Sequence, residues 1–142
     1  MNPPPPSLFK PPPFQPTDAN LGAYIEVMSS NKVKHLVRAT ECAYAVERAT
    51  KVGITVHDMA FPDGEPPPQD IIKRWLKLCQ TTFGAKDGSA ISVHCVAGLG
   101  RAPVLVAIAL IEKGLEPLDA VALIRDKRKG AINSKQVRVV EQ

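Results

Sequence analysis

The stretch VHCVAGLGRAP, Val93 to Pro103, constrains this chain more than any other, because it sets a cysteine and an arginine at the two ends of a glycine-bearing loop. Before the loop, AISVHC (Ala90 to Cys95) has the β-branched density of a strand. After it, Ala102 to Ile111 is apolar all round and reads as a buried central helix that stops at Gly114. A strand–loop–helix of this kind leaves the first N–H groups of the helix without intrahelical partners and adds the positive end of the helix dipole, so the loop suits an anion. Gly98 and Gly100 let the backbone curl tightly, and the planar guanidinium of Arg101 can grip two oxyanion oxygens at once.

The rest of the chain supplies a fold for that loop. VKHLVRA (Val33 to Ala39) and ITVHDM (Ile54 to Met59) have the same strand character. Helices are expected over roughly Leu21 to Ser29, Glu41 to Lys51, Gln69 to Phe83 and Leu118 to Lys129, the last framed by Pro117 and Gly130. In the third of these, Ile72, Trp75 or Leu76, Cys79 and Phe83 step along one face. Strands alternating with helices in 142 residues, 44% of them apolar, predict an α/β fold: a single domain with a central, mainly parallel sheet flanked by helices. Ligands in such sheets bind beyond the carboxyl ends of the strands, which is where His94 and Cys95 fall. FPDGEPPP, Phe61 to Pro68, can only be a loop, and it opens toward the same crevice. Eight of the 14 prolines crowd into residues 1–16, MNPPPPSLFKPPPFQP, which predicts an extended or disordered arm ahead of a domain over 17–142. That arm reads either as a solvated leader or as a polyproline-II ligand for an SH3- or WW-type partner.

Other classes are excluded by simple counts. Three cysteines without a CxxC spacing offer neither a disulfide framework nor a zinc site, and no cofactor or metal is called for. The longest apolar run, Ala102 to Ile111, is about half of the ~20 residues a membrane span needs. No secretory signal peptide opens the sequence, so a reducing, cytoplasmic setting is expected. A net charge of +4 favours anionic partners such as phosphate, acidic protein surfaces or anionic lipid; nucleic acid is not among the partners expected.

Cys95 stands at the floor of the anion cradle formed by Val96, Ala97, Gly98, Leu99, Gly100 and Arg101. The N–H groups and dipole that hold an anion also favour thiolate over thiol, and a thiolate beneath a bound phosphate is a nucleophile in line for phosphoryl transfer. A lone cysteine at a strand end is more often an inert core residue. The spacing HCxxGxxR, with both glycines and the arginine in place, argues against that reading.

HCVAGLGR resembles the Cys-x5-Arg signature of the cysteine-dependent protein tyrosine and dual-specificity phosphatases. HCVAGLGRAPVLVA together with GAINSKQ resembles specifically their PRL group, the phosphatases of regenerating liver, and the likeness runs from about Pro16 to the end through HLVR and FPDG. The resemblance implies a phosphoprotein phosphatase working through a phosphocysteine, with Cys95 as nucleophile, Arg101 as phosphate clamp and Asp63 of FPDG as the general acid on a mobile loop. Asp58 and Glu65 are the neighbouring alternatives, but Asp58 lies within a strand and Glu65 past the family's position. His94 is expected to orient the loop by hydrogen bonding, while His35 and His57 show no partners in the sequence and read as structural.

Most relatives carry Ser or Thr after the arginine, where the hydroxyl helps the thiolate leave. This chain has Ala102, as the PRL group does, which implies a phosphoenzyme formed but slowly hydrolysed, slower by roughly a hundredfold for one lost hydrogen bond to developing charge. Apolar Val96, Ala97 and Leu99 favour phosphoproteins over polyphosphorylated inositols. The resemblance also implies an alternative use, a phosphocysteine-switched binding module for a CNNM-type magnesium transporter. A rhodanese- or arsenate-reductase-like use of Cys95 would leave His94 and FPDG unexplained. Where PRL proteins carry the cysteine of a regulatory disulfide, Thr40 aligns, with Cys42 two positions on as the candidate redox partner of Cys95. The family ends in a polybasic tail and a prenylated CaaX box, whereas this sequence ends RVVEQ, so attachment to the inner face of membranes is expected only with a lipidated tail that RVVEQ does not supply.

Overall fold

The computed structural model describes residues 21–41, 44, 46–95, 101–127 and 129–140. The proline-rich arm over 1–16 lies outside the described residues. In chain order the elements are α1 (Leu21–Ser30), β1 (Val33–Arg38), α2 (Glu47–Thr50), β2 (Thr55–Asp58), α3 (Gln69–Gly84), β3 (Ala90–His94), α4 (Arg101–Glu112), α5 (Pro117–Lys127) and α6 (Ser134–Val140). The three strands form a parallel sheet in the order β2-β1-β3, as the alternation of strands and helices predicts.

The central strand shows why both faces are covered. Leu36 and Val37 point to opposite sides and both are buried, the near-continuous apolar run of a parallel strand sandwiched between helices. Leu36 joins Leu21 and Met28 of α1, Ala49 of α2 and Ile54 in one core cluster. Val37 joins the larger cluster on the other face, with Trp75 and Cys79 of α3, Val104, Leu105 and Ala107 of α4, and Val121 of α5. α4 is apolar all round because it packs on α3, α5, α6 and the sheet.

Three sequence expectations need correction, and one helix goes beyond them. The helix expected over Glu41 to Lys51 shrinks to Glu47–Thr50 among the described residues, because Tyr44 is engaged elsewhere: its carbonyl accepts from Arg38 Nη1 at 3.3 Å and its hydroxyl meets His94. On α3 the buried face runs through Ile71, Trp75, Cys79 and Thr82 rather than through Ile72. That register is fixed by Trp75, whose indole N–H donates to the Leu105 carbonyl at 2.7 Å and ties α3 to α4. The helix from Pro117 stops at Lys127 rather than Lys129. After it comes α6, which propensity did not suggest. Its start carries a reciprocal cap: the Gln136 N–H donates to Asn133 Oδ1 at 2.8 Å, and the Asn133 N–H donates to Gln136 Oε1 at 3.1 Å. An Asn followed three residues later by a Gln is the signal that could have found this helix.

Candidate active site

β3 ends at His94, and Cys95 follows it with only 5% of its surface exposed. α4 begins at Arg101, and the N–H of Ala102 in its first turn donates to Cys95 Sγ at 3.5 Å. The sulfur therefore lies against the N-terminal end of a twelve-residue helix. Val96, Ala97, Gly98, Leu99 and Gly100 lie outside the described residues, as does Cys42.

Arg101 reaches from this helix start toward the loop after β2. Its Nη1 donates to the Phe61 carbonyl at 3.5 Å, and its Nε lies 3.8 Å from Asp63 Oδ1. That second distance is an ion-pair contact and too long for a hydrogen bond, so Nε is a buried donor without a hydrogen-bond partner among the described residues. The two side chains differ sharply in exposure, 12% for Arg101 against 80% for Asp63. Asp63 stands at the second position of a turn closed by the Glu65 N–H donating to the Pro62 carbonyl at 3.2 Å. Gly64, third in that turn, has φ of 78°, which a type II turn demands and which glycine adopts without strain.

Behind Cys95 a chain of polar contacts fixes His94. Its Nε2 lies 2.7 Å from Tyr44 Oη, and Tyr44 is in turn covered by Arg38, whose guanidinium sits 5.0 Å over the ring. Arg38 is buried and holds Asp58 through two bonds, Nε to Oδ1 at 2.6 Å and Nη2 to Oδ2 at 2.9 Å. Burial drives the His94 pKa down to about 4, with Arg38 adding to the effect and the Cys95 backbone opposing it, so the ring is neutral at physiological pH. The hydrogen bond from Arg38 holds the Asp58 carboxyl below its usual range. Asp58 thus has a structural partner, and Glu65 contributes its carbonyl to α6, receiving Gln136 Nε2 at 3.3 Å.

His35 and His57 do have a partner, each other: His35 Nδ1 lies 3.0 Å from His57 Nε2 across β1 and β2. Burial, then His35 and Arg74, lower the His57 pKa. Cys79 is a core residue, with its thiol pushed up to about 11 by burial. Among the described residues no group of three or more His, Cys, Asp or Glu is placed to hold a metal ion, and no helix is long and apolar enough to cross a membrane.

A family model described as "Polymorphic toxin system, DSP-PTPase phosphatase" matches residues 15–115. "Probable protein tyrosine phosphatase type IVA A" of Dictyostelium discoideum is 48% identical over 126 residues, 89% of this chain and 76% of that protein. The chain belongs to the type IVA, or PRL, family of protein tyrosine phosphatases. The human "Protein tyrosine phosphatase type IVA 3" is 49% identical over 127 residues, covering 89% of this chain and 73% of its own length. A solved protein tyrosine phosphatase from Leishmania major superposes with a TM-score of 0.78 at 45% identity, covering 90% of this chain and 83% of that one. PRL-like, cysteine-based phosphatase function and the single-domain phosphatase fold come with this membership.

Proposed function

We propose that Cys95 is the nucleophile, Arg101 the phosphate clamp and Asp63 the general acid of a PRL-type phosphatase that dephosphorylates phosphoproteins through a phosphocysteine. One observation carries the assignment: the first turn of α4 both donates an N–H to Cys95 Sγ and supplies a buried guanidinium with an unspent donor, 3.8 Å from the carboxylate of Asp63. A phosphoryl group over the sulfur would occupy that donor, and the exposed carboxyl would stand on the leaving-group side. Cys95 Sγ attacks phosphorus, the P–O bond to the leaving group breaks, and Asp63 delivers the proton to the departing oxygen. Water then hydrolyses the S–P bond, releasing phosphate and the thiolate. Val96, Ala97, Gly98, Leu99 and Gly100 belong to the same cradle in this reading, and His94 supports it from beneath.

Intact mass after brief exposure to an aryl phosphate tests this directly. Wild type is expected to carry a phosphate adduct, Cys95→Ser none, and Asp63→Ala a slower one. Brisk turnover independent of Cys95 would sink the assignment. The long-lived phosphocysteine also suits a switched contact with a CNNM-type magnesium transporter, a second reading favoured by the alanine at position 102. Binding of that partner to phosphorylated and unphosphorylated protein separates the two uses. The remaining elements of the proposal are a domain over 17–142, an extended arm over 1–16 that serves as a solvated leader or, alternatively, as a ligand for an SH3- or WW-type groove, a cytoplasmic setting with attachment to the inner face of membranes only through a lipidated tail, and a Cys42–Cys95 disulfide. Peptide mapping after peroxide treatment tests the last.

A further inference from the structure

The backbone around Asp63 is gripped from three directions. Arg74 Nη2 on α3 donates to the Asp58 carbonyl at 3.1 Å, and Arg101 holds the Phe61 carbonyl. Beyond the aspartate, Asn133 Nδ2 donates to the Gly64 carbonyl at 3.1 Å and Gln136 Nε2 to the Glu65 carbonyl at 3.3 Å, both from the start of α6. We propose that Asn133 and Gln136 are positioning residues for the general acid, fixing the turn that carries Asp63 and so aiming its carboxyl at the leaving oxygen. The proposal rests on the reading of Asp63 as the acid.

The argument begins with the cap itself. Each amide oxygen of the pair already accepts the other residue's backbone N–H, which fixes which end of each amide is oxygen and turns each NH2 group outward. Capping α6 consumes only the oxygens, so the two bonds to the loop are surplus to it. Gln136 is fully buried, and a shift of the loop would strand its NH2 group in the interior. The segment leading into the cap is itself braced, with Arg125 Nε donating to the Ala131 carbonyl at 2.9 Å and Nη2 to the Ile132 carbonyl at 2.6 Å. Asp63, by contrast, is mostly exposed, and the Arg101 contact at 3.8 Å is too long to orient it. Its aim is therefore set through the turn, and α6 holds the two carbonyls on the turn's far side.

The test separates aim from mere stability. Asn133→Ser keeps a capping oxygen but is too short to reach Gly64, while Asn133→Asp and Gln136→Glu keep the capping oxygens and replace each donor by an oxygen that faces the loop carbonyl, the second at a fully buried position. Single-turnover phosphorylation of Cys95 is measured with phenyl phosphate, whose departing oxygen needs a proton, and with p-nitrophenyl phosphate, whose leaving group needs it far less. The rate ratio between the two is expected to widen by about tenfold in each variant, a fraction of the 10²- to 10⁴-fold that general acids supply. Asp63→Ala sets the upper limit, and amide exchange at Glu65, whose N–H closes the turn, should quicken. Variants that slow both substrates equally, or neither, while Asp63→Ala widens the ratio, overturn the positioning role alone. An unchanged ratio in Asp63→Ala itself overturns the acid assignment and this proposal with it.

Discussion

Tyr44 Oη lies 2.7 Å from His94 Nε2, joining residues fifty positions apart immediately behind the cysteine. The contact completes a line from Asp58 at the end of β2, through Arg38 at the end of β1, to Tyr44 and His94 at the end of β3. The carboxyl ends of all three strands are thus cross-tied by polar side chains next to Cys95. Each tie removes freedom from His94 and therefore from the residue that follows it.

The neutral state of His94 has a measurable cost in acid. Its pKa falls from 6.5 to about 4 on folding, so between those values the unfolded chain binds more protons than the native one, and stability must fall as pH falls. A shift of that size corresponds to something on the order of 3 kcal/mol once pH drops below both values. His57, also lowered, acts in the same direction, so the comparison has to isolate His94. Urea unfolding of wild type and His94→Gln across this window is expected to show a shallower acid decline in the variant. Parallel declines would mean that His94 is not buried as a neutral ring.

The Arg38–Asp58 pair operates in a different window. Asp58 is held below its ordinary value of 3.8, so its contribution is present above that value and is lost as pH falls beneath it, after His94 has titrated. Asp58→Asn removes one negative charge from beside the buried guanidinium of Arg38 while keeping the shape of the side chain. Because the Asp58 side chain is itself 64% exposed, the loss is expected to be about 1–2 kcal/mol rather than the full penalty of breaking a buried pair. Chemical denaturation at neutral pH checks this, and a loss near zero would show that solvent already screens the pair.

Among the described residues, the side-chain hydrogen bond from Trp75 to Leu105 joins α3 to α4 within an apolar interface. Trp75→Phe removes the indole donor to Leu105 and part of a fully packed ring, and is expected to cost about 2–3 kcal/mol. In a domain of this size that lowers Tm by roughly 5–10 °C. Circular dichroism is the readout, since Trp75 is the only tryptophan in the chain. A change of a degree or two would mean that the apolar contacts alone hold α3 in register.

What could be read from the sequence follows the range over which the physics acts. The Cys95-to-Arg101 spacing, the apolar helix after it and the FPDG turn are local patterns, and the strands, the parallel sheet and α4 match those expectations. The His35–His57 pair and the Tyr44–His94 contact depend on which strand lies beside which, information that no window of neighbouring residues contains. The helix expected from Glu41 is shortened for the same reason, because Tyr44 spends its carbonyl and hydroxyl on residues from other elements. α6 is a different case: its capping pair is local and readable, but the short polar stretch after Gly130 hides it from propensity.

The alanine after Arg101 leaves a mechanistic question that the structure sharpens. Ala102 offers no hydroxyl, yet its backbone N–H already donates to Cys95 Sγ at 3.5 Å, so the sulfur has one donor of the kind a departing thiolate needs. Ala102→Ser adds a second donor at a buried position with little change in volume. If breakdown of the phosphocysteine limits turnover, the variant is expected to shorten the adduct's lifetime on the order of tenfold, below the 10²- to 10³-fold that a fully aligned donor can supply. Steady-state hydrolysis should rise with it, while the single-turnover rate of phosphorylation changes little because the added hydroxyl assists a leaving thiolate rather than an attacking one. An adduct lifetime that does not change would show that the backbone N–H alone does the work of the missing hydroxyl, and that breakdown of the phosphocysteine is not limited by the residue at position 102.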